Sequence, residues 1–524
     1  MIIRMKALLC IFMFALYLIF ALPDKAPASI AIGSLDADKT VSVSTSTSGN
    51  GTTKMQIATK KAGSYSTADL EGTWYLNGLA ASNSIYDNGW VRGTFVIDSS
   101  GNFSANMNYS DSTSDTINSA MSITTDGIIT MTGSLYLHCA MDSDKTVVAC
   151  NDWWAYPTSA SLSVLTKKAG SYSTADLSGT WYSNQLGSRG PWWKRGTVSF
   201  TPGGNGAFTY HCIATSSDPC ESDFSGTMSL SADGVMTING NPDPFQCHMD
   251  SGKTVGACTE TWLDDGTTLI SVFTKKADSY SADDLLGTWY MHSLASGPSA
   301  PYWERDTITI ATGGAVTGTC TWSAAGTCTI PAGVLISITS NGVVTIGPSL
   351  LLTANAAGNG SGTVSSSSGG ISYTYPALNT GSANIFEGTA VTLTAAAATG
   401  STVAWTGDCS STSGNSTSSA TCIIDTMNAP KTGTATFTKL PVRIEGTASY
   451  YTAIQLAYNA ATTDQTVQMH AVTFTEDLLL ANPAAVKLKG GYDTNFTSNP
   501  DFTTVHGTMT ITGGAVTLEN VIVL

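Results

Sequence analysis

Charged residues are scarce in this chain of 524 residues, and basic residues are scarcer than acidic ones. Only 12% of the residues are charged, with 23 Lys and Arg against 38 Asp and Glu and a formal net charge of -15. A protein that binds nucleic acid needs a basic face to neutralise phosphates, so this balance argues against nucleic acid as a partner. It is the balance of a soluble extracellular protein.

Motifs for catalysis and for cofactors are also missing. The six His residues are scattered, and the sequence has no Gly-x-Ser-x-Gly elbow, His-Glu-x-x-His helix, phosphate loop or Cys-x-x-Cys-His haem site. Two acidic pairs, Glu476 with Asp477 and Asp493 with Asp501, are interpreted as solvated turns. We therefore expect no catalytic residue, no cofactor and no metal, and the chain is not expected to be an enzyme.

Long apolar runs are missing after the first residues. A basic start, Met1 to Lys6, precedes an apolar run from Ala7 to Leu22 and the small residues of Ala26-Pro27-Ala28. This order is typical of a secretory signal, residues 1–28, cleaved before Ser29. An uncleaved anchor is the alternative, since a run of this length approaches the minimum of about 17 residues for a spanning helix. We expect Sec-type export, a secreted or cell-surface location, and no transmembrane segment after cleavage.

What is abundant indicates strands. The chain has 51 Gly, and Ser and Thr dominate between short apolar runs, a composition typical of short strands joined by turns. Its 12 Trp, 19 Tyr and 15 Phe supply apolar surface for cores, which argues against disorder. The sequence therefore predicts an all-β protein.

One phrase, ending in Gly-Thr-Trp-Tyr, is written three times, at 60–75, 167–182 and 275–290. Its glycines recur 107 and 108 residues apart, which is right for a small domain and too long for a solenoid coil. A second phrase, Asp-x-x-Lys-Thr-Val, precedes each copy, and its N-terminal copy is the piece that the third copy lacks. We therefore predict three permuted units, at 29–137, 138–245 and 246–350. Each unit is self-contained, or else the N-terminal strands complete the last unit and latch a ring; the sequence leaves both open.

Each unit is predicted to be an antiparallel β-meander of about eight short strands, because turns rich in Asp, Ser and Gly separate its alternating segments. Such a meander closes into a barrel or splits into two propeller blades, and a six-bladed propeller is the alternative for the three units. The Gly-x-Trp of the first strand, as in Gly72-Thr73-Trp74, resembles that of lipocalin-like (calycin) barrels. That resemblance implies an eight-stranded barrel in each unit.

Ten cysteines follow the predicted signal, and they form local pairs. Cys139 and Cys150 correspond to Gly33 and Ser44 of the first unit, where both are absent, as expected of covalent partners. Metal ligation is the competing interpretation because histidines such as His138 lie beside cysteines, but zinc sites usually have shorter spacings. We therefore predict disulfides in an oxidising compartment. The predicted pairs are Cys139 with Cys150, Cys212 with Cys220, Cys247 with Cys258, Cys320 with Cys328, and Cys409 with Cys422.

The second half changes character. Residues 351–439 carry the phrases Val-Thr-Leu-Thr-Ala, Trp-Thr-Gly-Asp-Cys and Thr-Ala-Thr-Phe, and they resemble a divergent internalin-type B-repeat of bacterial surface proteins. That resemblance implies a small β-grasp-like module held by Cys409–Cys422, with no active site of its own. Residues 440–524 have a helical pattern at 451–461 followed by short strands, which resembles the start of a right-handed parallel β-helix with a capping helix.

A Trp precedes an Arg by two residues on a strand of each unit. Alternate residues of a strand share a face, so the two side chains can stack by cation–π attraction. The pairs are candidates for binding a sugar or a small apolar ligand, and the structural alternative is a packed plug. They are Trp90 with Arg92, Trp193 with Arg195, and Trp303 with Arg305.

Three functional hypotheses follow. The first is a surface or matrix protein, with adhesion or glycan binding as its role and extracellular glycans or proteins as partners. The second is a carrier in which each unit encloses a small apolar ligand, for which a cavity of at least roughly 300 Å³ is required. The third is a carbohydrate-active enzyme that uses the β-helix segment.

Overall fold

The structure is a computed structural model, and the residues it describes are 30–82, 88–132, 137–151, 159–188, 192–203, 205–217, 219–220, 222–243, 245–297, 301–322, 326–330 and 332–524. The predicted signal, 1–28, lies outside them. The chain divides into two compact domains: an N-terminal domain that ends at Pro348 and a C-terminal domain, Ser349–Leu524. We keep the word unit for the three repeats of the N-terminal domain. Within the described ranges, no helix has the length and apolar character needed to cross a membrane.

Two closed barrels of eight antiparallel strands form most of the N-terminal domain, and the first strand of each begins with Gly-Thr-Trp. The first barrel comprises β4 (Gly72–Ser82), β5 (Gly89–Ile97), β6 (Asn102–Tyr109), β7 (Ser114–Ile123), β8 (Ile128–Thr132), β9 (His138–Met141), β10 (Val147–Asn151) and β11 (Ser159–Lys167). The second comprises β12 (Gly179–Gly187), β13 (Trp192–Phe200), β14 (Ala207–Thr215), β15 (Phe224–Leu230), β16 (Val235–Ile238), β17 (Gln246–Met249), β18 (Val255–Thr261) and β19 (Thr268–Lys275). The all-β class and the calycin-like barrels predicted from the sequence are confirmed.

A third sheet combines strands from both ends of the N-terminal domain. Its strands are β1 (Ala31–Leu35), β2 (Val41–Thr47), β3 (Thr53–Lys60), β20 (Gly287–Ser296), β21 (Tyr302–Ile310), β22 (Val316–Trp322), β23 (Gly326–Thr329), β24 (Val334–Ile338) and β25 (Val343–Gly358). β3 pairs with β20, and β1 pairs with the first residues of β25. The N-terminal strands therefore complete the third unit, the second of the two closures left open by the sequence.

This pairing corrects the unit boundaries 29–137, 138–245 and 246–350. The closed barrels run Gly72–Lys167 and Gly179–Lys275, and β1–β3 belong to the third sheet. The physical reason is that the strands around the Asp-x-x-Lys-Thr-Val phrase can complete a unit that precedes or follows them in the chain. The N-terminal copy of these strands pairs with β20 and not with β4. The six-bladed propeller is wrong, because the eight strands of each barrel close on one another.

The repeated phrase builds the floor of each unit. A short 3-10 helix, Thr67–Leu70 in the first barrel, precedes the first strand, and the indole of the buried Trp74 donates from Nε1 to the Leu70 carbonyl at 2.7 Å. The tyrosine of the same phrase also bonds to the barrel: Tyr65 donates to the Met141 carbonyl at 3.0 Å. The third unit repeats this bond from Tyr280 to the carbonyl of Leu35 at 2.9 Å, so the N-terminal strand occupies its equivalent place.

The three units share a second core outside their own interiors. Leu79, Leu186 and Leu294 occupy equivalent positions on β4, β12 and β20, and all three are buried in one apolar cluster with Val43 and Ile57 of the N-terminal strands. Outward-facing residues of barrel strands are normally polar, so this apolar seam indicates that the units pack around a pseudo-threefold axis.

The C-terminal domain begins with a sandwich of two sheets. One sheet contains the later part of β25 with β28 (Thr380–Phe386), β30 (Ser401–Gly407) and β33 (Lys431–Lys439). The other contains β26 (Gly362–Ser366), β27 (Ser372–Tyr375), β29 (Val391–Ala397), β31 (Ser411–Ser413) and β32 (Ser419–Ile424). The β-grasp-like arrangement predicted for 351–439 is corrected, because apolar residues alternate on both sheets and fill one core, and no helix lies between 351 and 439.

In the rest of the C-terminal domain, short strands stack in parallel. Its elements are β34 (Val442–Ile444), β35 (Tyr450–Tyr451), α1 (Ile454–Ala460), β36 (Gln465–His470), β37 (Thr473–Thr475), β38 (Leu478–Leu480), β39 (Ala485–Tyr492), β40 (Thr503–His506), β41 (Met509–Ile511), β42 (Ala515–Glu519) and β43 (Val521–Val523). β36, β39 and β42 pair in parallel, as do β37, β40 and β43, and β38 with β41. These are the rungs of the predicted β-helix, preceded by its helix.

Four predicted disulfides are present. They are Cys139–Cys150, Cys212–Cys220, Cys247–Cys258 and Cys409–Cys422. Cys139 and Cys150 lie opposite each other on β9 and β10, and the corresponding Gly33 and Ser44 also lie opposite each other on β1 and β2. Cys320 is disulfide-bonded and lies opposite Cys328, whose side chain is outside the described residues.

Candidate functional site

The predicted Trp–Arg stacks all form. The guanidinium carbon lies 4.0 Å from the ring centre in Trp90–Arg92, 4.3 Å in Trp193–Arg195 and 3.9 Å in Trp303–Arg305. Each pair faces outward from its own unit.

Neighbouring units cover these stacks. Nε1 of Trp90 donates to Oγ1 of Thr261 in the second barrel at 2.6 Å, and Nε1 of Trp193 donates to Oγ1 of Thr47 on β2 at 2.7 Å. Arg92 donates from Nε to the hydroxyl of Thr259 and from Nη2 to its carbonyl, both at 2.7 Å. Burial lowers the pKa of Arg92 to about 10. These contacts join one unit to the next, and ligand binding by the stacks stays a hypothesis.

The second barrel contains a cavity of about 470 Å³. Apolar side chains form most of its wall: Val198, Phe208, Tyr210, Phe224, Met228, Ile238, Phe245 and Phe273. Phe224 lines the cavity and is 48% exposed, so the cavity reaches solvent. Its rings pack in pairs, with Tyr210 and Phe224 stacked at 5.1 Å and Phe208 edge-on to Phe224 at 6.0 Å.

Sequence differences between the barrels explain this space. Val198 lies opposite Trp181 across β12 and β13, whereas the first barrel has Phe95 opposite Trp74. Two residues beyond the same Trp, the second barrel has Ser183 where the first has Leu76. The smaller Val198 and Ser183 leave volume that Phe95 and Leu76 fill in the first barrel. Tyr210 offsets part of it, because it lies opposite Val198 where the first barrel has Ala105 opposite Phe95.

Polar groups lie at one side of the cavity. Lys194 lines it and lies 5.5 Å from the ring centre of Tyr210. Glu260 accepts a hydrogen bond from Nδ2 of Asn241 at 3.0 Å, and burial raises its pKa. Trp262, also on the wall, stacks on Trp192 at 4.9 Å. The arrangement combines an aromatic wall with one cation and one carboxyl group.

The repeated Asp-x-x-Lys-Thr-Val phrase places an aspartate at the start of a turn in each unit; the pairs Asp36 with Asp38 and Asp142 with Asp144 are predicted from the sequence to be turn residues, with calcium ligation as the alternative. Asp36, Asp142 and Asp250 do hold turns, since Oδ1 of each accepts two backbone N–H groups, for example those of Thr40 and Val41. All three are fully buried, however. Burial raises their pKa to about 8, about 7 and about 6, respectively. The repeat places one at the same point of each unit, which is the signal that a sequence can offer.

A cluster of Glu304, Asp306 and Cys320 has the spacing of possible metal ligands. Cys320 is disulfide-bonded and therefore is not a thiolate. Lys54 forms an ion pair with Glu304, and burial raises the pKa of Asp306 to about 7. The cluster contains a buried ion pair, and we do not assign a metal to it.

Acidic residues of the β-helix segment stabilise local structure. Glu476 accepts the backbone N–H groups of Ile454 and Gln455 at the start of α1, at 2.9 and 3.1 Å. Asp477 accepts from Thr508, and Asp493 accepts from the turn that follows it, which holds its pKa well below the usual range. These contacts give them capping and turn roles.

Comparison with known proteins gives no family for this chain. No family model matches it, and no curated protein matches it. A solved structure from Nostoc punctiforme, described as a protein of unknown function from the DUF3598 family, matches with a TM-score of 0.16 and 9% identity; the match covers 40% of this chain and 96% of that one. At that TM-score the likeness supports no conclusion about fold or function.

Proposed function

We propose that the chain is an exported binding protein of the cell surface or extracellular matrix, and that its second barrel binds a small amphipathic ligand. The observation that carries this proposal is the aromatic cavity of about 470 Å³ in that barrel. Ligand pockets in proteins usually measure about 300 to 1,000 Å³ and combine apolar walls with a few polar groups.

The wall suggests the chemistry of the ligand. Phe208, Tyr210 and Phe224 offer ring faces and edges to a flat apolar body. Lys194 and Glu260 lie on the same cavity, so a ligand inside it meets one cation and one carboxyl group beside the rings. The ligand therefore has an apolar or aromatic body with one charged or hydroxyl-bearing end.

Export is supported by the cysteines. Four disulfides are present in the described residues, and disulfides persist in oxidising compartments such as the periplasm and the cell exterior. The start of the chain, with its basic and then apolar residues, agrees with that location. Glycans or other proteins of the exterior are the partners expected in such a place.

A fluorescent probe tests the cavity. The full chain is titrated with 8-anilino-1-naphthalenesulfonate, whose emission rises in an apolar site, and we expect saturable binding of one probe per chain. Val198→Phe places at this position the residue that the first barrel carries, and it fills the cavity. We expect it to weaken probe binding by at least about tenfold, the change that accompanies a loss of about 1.4 kcal/mol.

A matched control separates cavity filling from an added aromatic surface. Ile213 is 54% exposed on β14 of the same barrel, and Ile213→Phe adds a ring to the outside. It should leave probe binding unchanged. Unchanged binding by Val198→Phe, with thermal unfolding and disulfides like those of the wild type, would show that the probe binds elsewhere and would overturn the proposal.

A glycan is the second candidate ligand, and the stacked Trp192 and Trp262 favour it. Indole faces bind the apolar faces of sugar rings, and Trp262 lines the cavity. A glycan array probed with the wild type and with Trp262→Ala tests this role. Binding that survives the substitution at full strength would exclude the Trp pair as its site.

A further inference from the structure

A second cavity lies between the first barrel and the third unit, outside both interiors. It measures about 470 Å³, and its wall includes His138, His292, Arg305, Thr307, Thr319 and Thr321. His138 belongs to β9 of the first barrel, and the other five belong to β20–β22 of the third unit. We refer to it as the interface cleft.

One histidine of the interface cleft forms no hydrogen bond of good geometry with the residues that the structure describes. His292 is 2% exposed, and neither of its ring nitrogens has such a bond; Nδ1 of His138 is also buried without one. The His138 backbone lies close enough to the His292 ring to act as a weak hydrogen-bond partner, but the contact falls short of good geometry. Burying an unpaired polar group is unfavourable, and an imidazole left so in a native interface calls for a missing partner.

The two other interfaces show what is missing. Asn77, at the position equivalent to His292, lies with Nδ2 2.9 Å from Nδ1 of His248 in the second barrel. Asn184, the next equivalent, donates to Oγ of Ser34 on β1 at 3.0 Å. In the interface cleft the residue equivalent to His248 and Ser34 is Ala140, which has no polar side chain. The neighbouring unit thus bonds the amide nitrogen in two interfaces, although Oδ1 of Asn77 stays without a bond, and it bonds neither nitrogen of the imidazole in the third.

Charge selects the kind of partner. Burial, and then the positive charge of Arg305, lower the pKa of His138 to about 4, and burial lowers that of His292 well below its usual value, with Arg305 adding to the effect. Both rings are therefore neutral at pH 7. A cation between them would lie beside a guanidinium and be repelled, whereas an anion would be attracted by it. Two carboxyl groups also lie on the wall. Asp126 is paired with Lys61, and burial raises the pKa of Asp306 to about 7, so each repels an anion less than a free carboxylate would.

We propose that the interface cleft binds a small hydroxyl-bearing molecule through a carboxylate or phosphate group, with Arg305, His138 and His292 holding the anionic group. A guanidinium and imidazole N–H groups are the donors that oxyanions accept. The hydroxyls of Thr307, Thr319 and Thr321 line the same cleft, and its volume exceeds that of a bare oxyanion. A sugar acid or a sugar phosphate has this combination of groups.

Calorimetric titration of the full chain at pH 7 tests the proposal. The probes are glucuronate, glucose 6-phosphate and inorganic phosphate, with glucose as the neutral comparison. We expect one of the two sugar anions to bind and glucose not to bind. Which of the two binds more tightly distinguishes a carboxylate from a phosphate, and tighter binding of inorganic phosphate than of either sugar anion would overturn the hydroxyl-bearing ligand.

Variants connect binding to the cleft. Arg305→Gln removes the cation, and His292→Asn installs the residue that stands at 77 and 184, so the fold is expected to tolerate it. Each should weaken binding by more than about tenfold, equivalent to about 1.4 kcal/mol. Arg195→Gln, the same change in the stack between the second barrel and the N-terminal strands, should leave binding unchanged.

Two results would overturn this proposal without touching the ligand of the second barrel. The first is the absence of binding by both sugar anions at millimolar concentration. The second is equal weakening by Arg195→Gln and Arg305→Gln, which would mean that anion binding depends on stability of the ring rather than on the cleft. Val198→Phe should leave anion binding unchanged, so the two sites are tested separately.

Discussion

The hydroxyl of Thr40 lies 3.1 Å from Oδ2 of Asp142, a carboxyl group of the neighbouring barrel. The same hydroxyl lies 3.4 Å from Oδ2 of Asp36, and the hydroxyl of Thr254 lies 3.3 Å from that oxygen. Threonine hydroxyls therefore link the buried carboxyl groups of successive units. Burial favours the protonated form of each carboxyl group, and repulsion between neighbouring carboxylates adds to this effect for Asp36 and Asp142.

The free energy of unfolding of the N-terminal domain should fall as the pH rises from about 6.5 to about 8. The pKa is about 8 for Asp36 and about 7 for Asp142 in the folded chain, whereas an unfolded aspartate has a pKa of about 3.9. In this interval the folded chain holds protons that the unfolded chain has lost, so the free energy of unfolding decreases with pH. Urea unfolding at a series of pH values measures the slope.

Asp142→Asn should flatten that slope, because an amide at this place does not titrate. Asp98→Asn is the matched control, since Asp98 holds an exposed turn and is ionised in both states at these pH values. Below pH 6.5 the neutral buried histidines, such as His248, act in the opposite direction, because the unfolded chain binds protons that they do not. A slope at pH 6.5 to 8 that is the same in Asp142→Asn and in the wild type would show that this carboxyl group is ionised in the fold.

Removal of one disulfide should weaken the first barrel without preventing its closure. The Cys139–Cys150 bridge closes a loop with a sequence separation of 11 residues, so Cys139→Ser with Cys150→Ser should cost about 2–3 kcal/mol of unfolding free energy. The third unit supports closure, since Gly33 and Ser44 pair at the same place without a bridge. Urea unfolding measures the loss, and peptide mapping of the unreduced wild type should show this bridge; a Cys139 peptide linked to a different cysteine would contradict the hairpin register.

The indole of Trp193 should be coupled energetically to Thr47. Trp193→Phe and Thr47→Val each remove one partner of the bond from Nε1 to Oγ1, and a double-mutant cycle should give a coupling of about 1 kcal/mol. The effects of Trp193→Phe and of Thr363→Val, a substitution in the C-terminal domain, should be additive. Zero coupling for the first pair would mean that this bond does not fasten the N-terminal strands to the second barrel.

Glu476 should stabilise the C-terminal domain, which we treat as one folding unit, by capping α1. Glu476→Ala removes the acceptor for the N–H groups of Ile454 and Gln455, and the expected loss is about 1–2 kcal/mol. Glu387 is exposed in a turn of the same domain, so Glu387→Ala should change the unfolding free energy little. Equal effects of the two substitutions would remove the capping role.

The sequence predicts local features of this fold well. Turn residues and alternation identify the eight strands of the first barrel, and the joint absence of cysteines at Gly33 and Ser44 identifies a disulfide pair, because both depend on neighbours in the chain. Partner choice is different. β3 leads into the repeated phrase just as β11 and β19 do, and nothing in its pattern says that it pairs with β20, which is far along the chain.

The sites show the same division. The Trp–Arg stacks follow from two-residue spacing on one strand, but their cover by Thr261 and Thr47 depends on how the units pack. The orphaned His292 depends on Ala140 of another unit, and it becomes visible only when the three interfaces are compared. The cavity of the second barrel depends on volumes summed over several strands, which spacing does not report.

That volume argument predicts that a cavity can be opened in the first barrel. Phe95→Val with Leu76→Ser installs the residues found at the equivalent positions of the second barrel, Val198 and Ser183. Loss of a buried ring and of an isobutyl group should cost roughly 3–6 kcal/mol by analogy with large-to-small core substitutions, and binding of 8-anilino-1-naphthalenesulfonate should rise from one to two probes per chain. The native fraction is followed by thermal unfolding, so that the second probe is counted only on folded protein. A folded double variant that still binds one probe would mean that the first barrel collapses around the missing atoms, and that Val198 and Ser183 are not sufficient to explain the space in the second.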